Sequence, residues 1–388
     1  GMLRSTDRIT TTHAGALPRE NALRALVFAR SNREPYDKAA LATSLRDAVA
    51  ETVRKQAAIG IDSVNDGELG KSNFTSYIHE RLAGIEARAP KPGEDTGFSS
   101  LIRREIGRYG AYYRKMVELF PATKRPSIVC NGPLKYAGQR LLKEDIDNFH
   151  AALAGASVAD AFLPAVTPGT IEHWLHNEYY PDDEAFLFAI ADALRPEYEA
   201  IVAAGFTLQI DDPDLPDGWQ IHPDMSVADY RKYADLRVEA LNHALKGIPA
   251  DKVRLHVCWG SFHGPHQGDI GLEHIVDLIF RVRAREFSIE ASNPRHEHEW
   301  QVFEKVKLPD GAMLIPGVVG HCTNFIEHPE LVAQRLIRYA NLVGRENVAA
   351  GTDCGLAPRL PDGELTWGKL EALVEGARLA SKRLWSRG

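Results

Sequence analysis

Short apolar runs alternate with longer helix-prone segments along almost the whole chain, and this alternation constrains the fold most. Strand-like runs occupy Ile9–Ala16, Ser63–Glu68, Ser127–Gly132, Phe162–Val166, Thr207–Asp211, Arg254–Trp259, Phe287–Ala291, Met313–Val319 and Asn347–Gly351. Between them lie helical candidates at Lys38–Ala58, Asp183–Ala203, Val227–Ala244, Leu272–Arg283, Pro329–Leu342 and Trp367–Leu384. Strand–helix alternation of this length implies a parallel sheet, open or closed, with helices on its faces. As a closed α/β barrel, a (β/α)8 TIM barrel, the chain has nine strand candidates for eight seats, and Ser127–Gly132 is the first suspect for the outsider. The stretch Thr75–Lys124 is charged and helix-prone, with Pro and Gly around Pro90–Gly97, and reads as a helical insertion (about 75–125) over one end of the barrel. No repeat or composition break divides the chain, so 2–388 reads as a single domain.

Length and charge narrow the partners. A chain of 388 residues can bury a large core without staples. The formal charge of −7 offers no basic excess for phosphates, which argues against nucleic acid. No apolar run reaches membrane-span length, and no basic-then-apolar leader opens the sequence. Four cysteines, Cys130, Cys258, Cys322 and Cys354, are too few for a disulfide scaffold, and a reducing cytoplasm is the expected setting. The oligomeric state is not legible.

Polar residues cluster where strands end, the face on which a parallel barrel builds its active site. In Leu255–Ser261, His256 and Cys258 stand two apart on a strand and share a face, so imidazole and thiolate can reach one metal ion. Cys354 follows another strand in Gly351-Thr352-Asp353-Cys354-Gly355. Glu290 closes an apolar run, where an unpaired carboxylate is costly; a cation or an ion pair with Arg295 would satisfy it. Asp211 and Asp212 close a fourth strand and point to opposite faces, one into the mouth and one into the loops. Two thiolates among these donors select Zn2+ over magnesium or calcium.

At these residues the chain resembles the zinc-bearing catalytic barrel of cobalamin-independent methionine synthases, especially short stand-alone relatives that include epoxyalkane:coenzyme M transferases. The likeness runs from Thr11 to about Ala380. It implies zinc ligands at His256, Cys258, Glu290 and Cys354, and an amine clamp made by Glu68 of Asp66-Gly67-Glu68 and Asp211 of Gln209-Ile210-Asp211-Asp212-Pro213. Three departures stand out. Gly15-Ala16-Leu17-Pro18 lacks the serine of the family's Gly-Ser-Phe-Pro. Leu134-Lys135-Tyr136-Ala137 lacks the tryptophan that supports folate. Cys322 takes the place of the family's catalytic histidine, with His321 one position short.

The resemblance implies a zinc-dependent transferase that activates a thiol, homocysteine or similar, as a zinc thiolate and methylates it from a methyl-tetrahydrofolate-type donor. His321 is the candidate acid for the leaving group, and Asp353 would orient a ligand. Asp212 and Arg295 are further substrate-binding candidates, Arg295 for an anionic group of the co-substrate. The rival readings are alkylation of coenzyme M by an epoxide and a non-catalytic zinc-binding protein. The histidines of His263–His266 and Asn293–His298 read mostly as solvated rim residues.

Overall fold

The structure, a computed structural model, describes residues 2–94, 97–121, 125–358, 360 and 362–386. Its strands in chain order are β1 (Thr10–Thr11), β2 (Ser63–Val64), β3 (Leu82–Arg88), β4 (Ser127–Tyr136), β5 (Asp160–Val166), β6 (His176–Asn177), β7 (Thr207–Asp211), β8 (Val253–Val257), β9 (Glu286–Ile289), β10 (Met313–Val319) and β11 (Ala349–Thr352). Eight of them form one sheet in the order β1-β11-β10-β9-β8-β7-β5-β2, all parallel. The ends of that sheet meet. Asp62 N donates to Thr11 O (3.1 Å) and Thr12 Oγ1 to Ser63 O (3.0 Å). The Asp62 carboxylate accepts Thr11 N at 2.8 Å and is held by two bonds from Arg8 (2.8 and 2.6 Å), so a side chain completes the seam between the two shortest strands. The result is a nearly closed (β/α)8 barrel in a single domain.

The helices bury stripes at three- and four-residue spacing. In Asp183–Ala203 the buried side is Phe186, Leu187, Ile190, Leu194, Tyr198 and Ile201. Caps set the ends: Asp37 accepts Ala40 N at the start of Lys38–Ile59, and Gly60 at φ 98° ends that helix in the left-handed conformation that glycine tolerates.

Ser127–Gly132 does lie outside the ring. It extends to Tyr136 and pairs with β3 (antiparallel) and β6 (parallel) in a three-stranded side sheet. The expected helical insertion at 75–125 needs correction. It holds strand β3 as well as the short helices Arg103–Arg108 and Gly110–Leu119, while its residues 95–96 and 122–124 lie outside the described set. At the β3 bulge Gly84 has φ 92°, and a Cβ there would stand 2.4 Å from Pro133 O. Buried ion pairs fasten this excursion to the barrel: Arg81 bridges Asp145 (2.7 Å) and Glu197 (2.8 Å), and Tyr77 donates to Glu197 (2.8 Å).

Candidate metal and thiol site

His256 lies within β8 and Cys258 follows the strand; parallel pairing with β9 sets His256 beside Ser288. Ser288 Oγ is hydrogen-bonded to His256 Nδ1 at 2.8 Å, which fixes the ring and leaves Nε2 buried with no partner at hydrogen-bonding geometry. With Nδ1 engaged by Ser288, Nε2 is the ring nitrogen left to face the two thiols. Cys354, just beyond β11, brings its Sγ to 3.7 Å from Cys258 Sγ, and one ligand atom from each of His256, Cys258 and Cys354 lies within 4.8 Å of the others. Ser261 Oγ donates to Cys354 Sγ at 3.7 Å. The hydrogen bond with Cys258 holds the Cys354 thiol well below its usual range despite burial, helped by His256 and His321. Cys258 is pushed up by that same bond and by burial. These donors fit zinc: two soft sulfurs and a buried imidazole nitrogen within reach of both.

Glu290 is not in that trio. Its Oε2 accepts Trp259 N (2.8 Å) and its Oε1 accepts Asn293 Nδ2 (3.0 Å), which places its carboxylate with His321 and Asp353 in a second buried group whose ligand atoms lie within 4.8 Å. Burial, then Asp353, pushes the Glu290 carboxyl well up. Asp353 Oδ1 accepts Ala291 N (2.8 Å) and Ser292 N (2.9 Å), tying the Cys354 turn to the backbone that follows Glu290. Burial outweighs those bonds and raises Asp353 to about 7. His321 is buried, with Nε2 3.5 Å from Cys322 Sγ, and Cys322 is exposed. Arg295 does not pair with Glu290; it is exposed on the rim, its backbone N–H bonded to Asn293 Oδ1 (2.9 Å).

Carboxylates hold the other side of the mouth. Asp211 ends β7 and accepts Gln209 Nε2 at 2.9 Å; burial, then Glu68, raises it to about 7. Asp212 is buried too, and its Oδ1 accepts Leu215 N (3.3 Å) at the start of the helix Asp214–Ile221. Glu68 sits at φ 55°, a costly conformation for a side chain of its size, after Asp66 Oδ1 accepts its N–H at 2.9 Å. Gly15 makes room for it, since a Cβ there would stand 2.6 Å from Glu68 Oε2.

Sequence reasoning missed Lys71. It is buried, donates to Pro164 O (2.7 Å), lies 3.5 Å from Glu68 Oε1 and stands 4.1 Å from the centre of the Tyr77 ring. Its spacing of three from Glu68 was the available signal. The histidine-rich loops also differ from expectation: His266 and His296 are buried, each bonded to Asp269, while His298 is exposed.

Comparisons with known proteins give the family and the fold. Residues 150–379 match the family described as "Cobalamin-independent synthase, Catalytic domain". Relatives include the methionine synthase of Thermococcus kodakarensis, 26% identical over 348 residues (89% of this chain, 85% of that protein). The methionine synthase of Saccharolobus solfataricus is 26% identical over 387 residues, covering 98% and 97%. Among solved structures, a B12-independent methionine synthase from Shewanella sp. W3-18-1, in complex with selenomethionine, has a TM-score of 0.74 at 20% identity and covers 98% of this chain and 100% of that one. A putative vitamin-B12 independent methionine synthase from Listeria monocytogenes has a TM-score of 0.65 at 19% identity, covering 96% and 98%. The matched family segment spans His256, Cys258, Glu290 and Cys354, and the chain belongs to the cobalamin-independent synthase catalytic-domain family.

Proposed function

We propose that this protein is a zinc-dependent S-methyltransferase that takes an amino-acid thiol such as homocysteine and methylates its sulfur from a methyl-tetrahydrofolate-type donor. The observation that carries the reading is the convergence of His256, Cys258 and Cys354 around a buried, unpartnered His256 Nε2. Zinc held by these three residues would stabilise the deprotonated form of a substrate thiol near neutral pH. The remaining work falls to the chain's own residues. Asp211 and Glu68 accept the substrate ammonium, which would hold both in the ionised form that burial opposes. His321 carries a proton on its ring for the departing donor nitrogen, in a pocket shared with Glu290 and Asp353. Asp353 anchors the Cys354 turn to Ala291 and Ser292. Asp212 supports the mouth by holding the helix at Leu215, and exposed Arg295 is left to meet an anionic part of the donor.

The buried carboxyls of Glu68 and Asp211, already raised by burial, disfavour a further anion beside them, which sets the coenzyme M reading second. Two free thiols 3.7 Å apart suit a reducing cytoplasm, and among the described residues no helix is long and apolar enough to cross a membrane. The test is metal analysis of wild-type, His256→Ala and Cys354→Ser proteins, with X-ray absorption after adding homocysteine or 2-mercaptoethanesulfonate. Wild type should carry zinc that both variants lose, and homocysteine alone should add a zinc–sulfur bond. Equal zinc in all three proteins removes the site. A sulfur bond with the sulfonate alone transfers the chain to the rival substrate, and bound zinc without thiol-dependent turnover leaves a metal-binding protein.

A further inference from the structure

Two buried polar residues stand one layer below the mouth, and the chemistry above gives them no task. Gln209 lies two residues before Asp211 on β7, so the two side chains share a face of the strand. Parallel pairing sets Arg254 of β8 beside Gln209, and Glu286 of β9 beside Arg254. Both Gln209 and Arg254 are buried, and their bonds reach across the barrel interior to the segments around β1 and β2.

The partners of Gln209 fix which way its amide points. Its Oε1 accepts Arg254 Nη1 at 3.3 Å, and a guanidinium can only donate. Its Nε2 donates to Ala14 O, a carbonyl that can only accept, at 2.6 Å, and to Asp211 Oδ1 at 2.9 Å. A flipped amide would set its oxygen against the Ala14 carbonyl and its NH2 against the guanidinium. Arg254 therefore selects the orientation that puts a donor under Asp211.

Both acids of the ammonium clamp rest on this one NH2 group. Asp211 takes a bond from it directly. Ala14 precedes Gly15, where a Cβ would stand 2.6 Å from Glu68 Oε2, so the backbone that Gln209 holds is the backbone that Glu68 packs against. Arg254 is anchored at two further points. Its Nη1 donates to Thr12 Oγ1 (3.1 Å) and its Nη2 to Ser63 Oγ (3.2 Å), the two residues joined across the barrel seam. Glu286 Oε1, 3.6 Å from Nη2, balances the buried charge.

We propose that Gln209 and Arg254 are positioning residues which, through Asp211 and the Ala14–Gly15 backbone, set the aim and spacing of the two clamp carboxylates and so make the mouth select a thiol that carries an ammonium over one that does not. Recognition of a charged group depends on acceptors whose own positions are locked by the layer behind them. The proposal rests on the reading of Glu68 and Asp211 as the ammonium clamp and adds the residues that enforce it.

The test is isothermal titration calorimetry on full-length, zinc-loaded protein with two thiols, L-homocysteine and 4-mercaptobutanoate, which has the same carbon chain without the ammonium. Wild type should bind homocysteine more tightly by about tenfold or more. Gln209→Met keeps the volume and removes the bonds to Arg254, Ala14 and Asp211. It should cut homocysteine affinity about tenfold and leave 4-mercaptobutanoate unchanged. Arg254→Lys keeps a cation near Glu286 but loses the planar fork that meets Gln209, Thr12 and Ser63 together, so it should cut the preference in the same direction by a smaller factor. Added to Gln209→Met, it should change the preference no further. Should one variant fail to fold, the other carries the test alone. An unchanged preference in the folded variants overturns the positioning role, and so does an equal loss for both thiols, which marks general damage. A further loss of preference in the double variant overturns the link between the two residues. A wild type that binds both thiols equally overturns the ammonium clamp itself, a result separate from these.

Discussion

The two sides of the barrel mouth solve opposite electrostatic problems. On the β8–β11 side, His256 Nε2 makes no hydrogen bond and faces two thiols whose sulfurs stand 3.7 Å apart, an arrangement that an ion from outside would complete. On the β1–β7 side, Glu68 and Asp211 are buried carboxylates that the chain partly neutralises with its own Lys71. One side gathers donors for a cation, and the other buries acids that a cation would help to ionise. A substrate bearing a thiol at one end and an ammonium at the other would satisfy both at once.

The largest contrast to test is between two buried histidines, one near each side. Burial lowers His13 to about 4, with Arg254 adding to it against the bond to Gln56. Burial also opposes charge on His296, but bonds to Asp269 and Glu299 outweigh it and raise it to about 10. Unfolded histidine titrates near 6.5. Between pH 6.5 and 4 the unfolded chain takes up a proton that folded His13 refuses, so stability falls as pH drops through that window. The extra stability from His296 is complete below pH 6.5 and is lost as pH rises toward 10. The His13 limb should be worth about 3 kcal/mol and the His296 limb about 5 kcal/mol. Thermal melts across pH should show that His13→Gln flattens the acid limb and His296→Gln the alkaline one. If both variants flatten the same limb, the two sides are not tuned in opposite directions.

Next in size is Asp211→Asn. Loss of a charged hydrogen bond to an ammonium costs about 1.5–3 kcal/mol, so KM for an amino-acid thiol should rise about tenfold to a hundredfold. Zinc content should not change, because Asp211 is no part of the donor trio. Steady-state kinetics alongside metal analysis checks this. Zinc lost together with substrate affinity would mean that the two sides act as one unit.

How much of this was legible depends on the range of the forces involved. The eight barrel seats could be read because each buried run ends in polar residues, and Ser127–Gly132 could be suspected because it was one run too many. Strand β3 was hidden. Most of Leu82–Arg88 is exposed or half-buried, and its partner β4 begins far along the chain. His256, Cys258 and Cys354 were readable as ligand types at strand ends, since a barrel brings such ends together. The position of Glu290 was not readable, because it turns on where the Trp259 amide points, a backbone property that no residue type announces. His296 and His298 look alike in Asn293-Pro294-Arg295-His296-Glu297-His298, yet only the first meets Asp269 and Glu299, through contacts set by the turn that begins at Asn293.

The smallest expected effect compares two glycines, one behind each side. A Cβ at Gly317 would stand 2.2 Å from Asp353 Oδ1 and 2.6 Å from its Cα, so backbone beside Cys354 blocks it and nothing there yields cheaply. At Gly15 the nearest atom is Glu68 Oε2 at 2.6 Å, the far end of a side chain, and the next is Glu68 Cδ at 3.5 Å. Gly15→Ala should therefore be absorbed by a shift of the carboxylate alone. Overpacking that a side chain can relieve sits at the low end of the usual cost, about 1 kcal/mol. The melting temperature should fall by a few degrees at most, zinc content should hold, and KM for an amino-acid thiol should rise about threefold to fivefold as Glu68 moves off its place. A thiol lacking the ammonium should show no change in KM, because it has no use for Glu68. If KM for both thiols rises equally, Glu68 shapes the mouth without reading charge, and the carboxylate side loses its claim on the substrate.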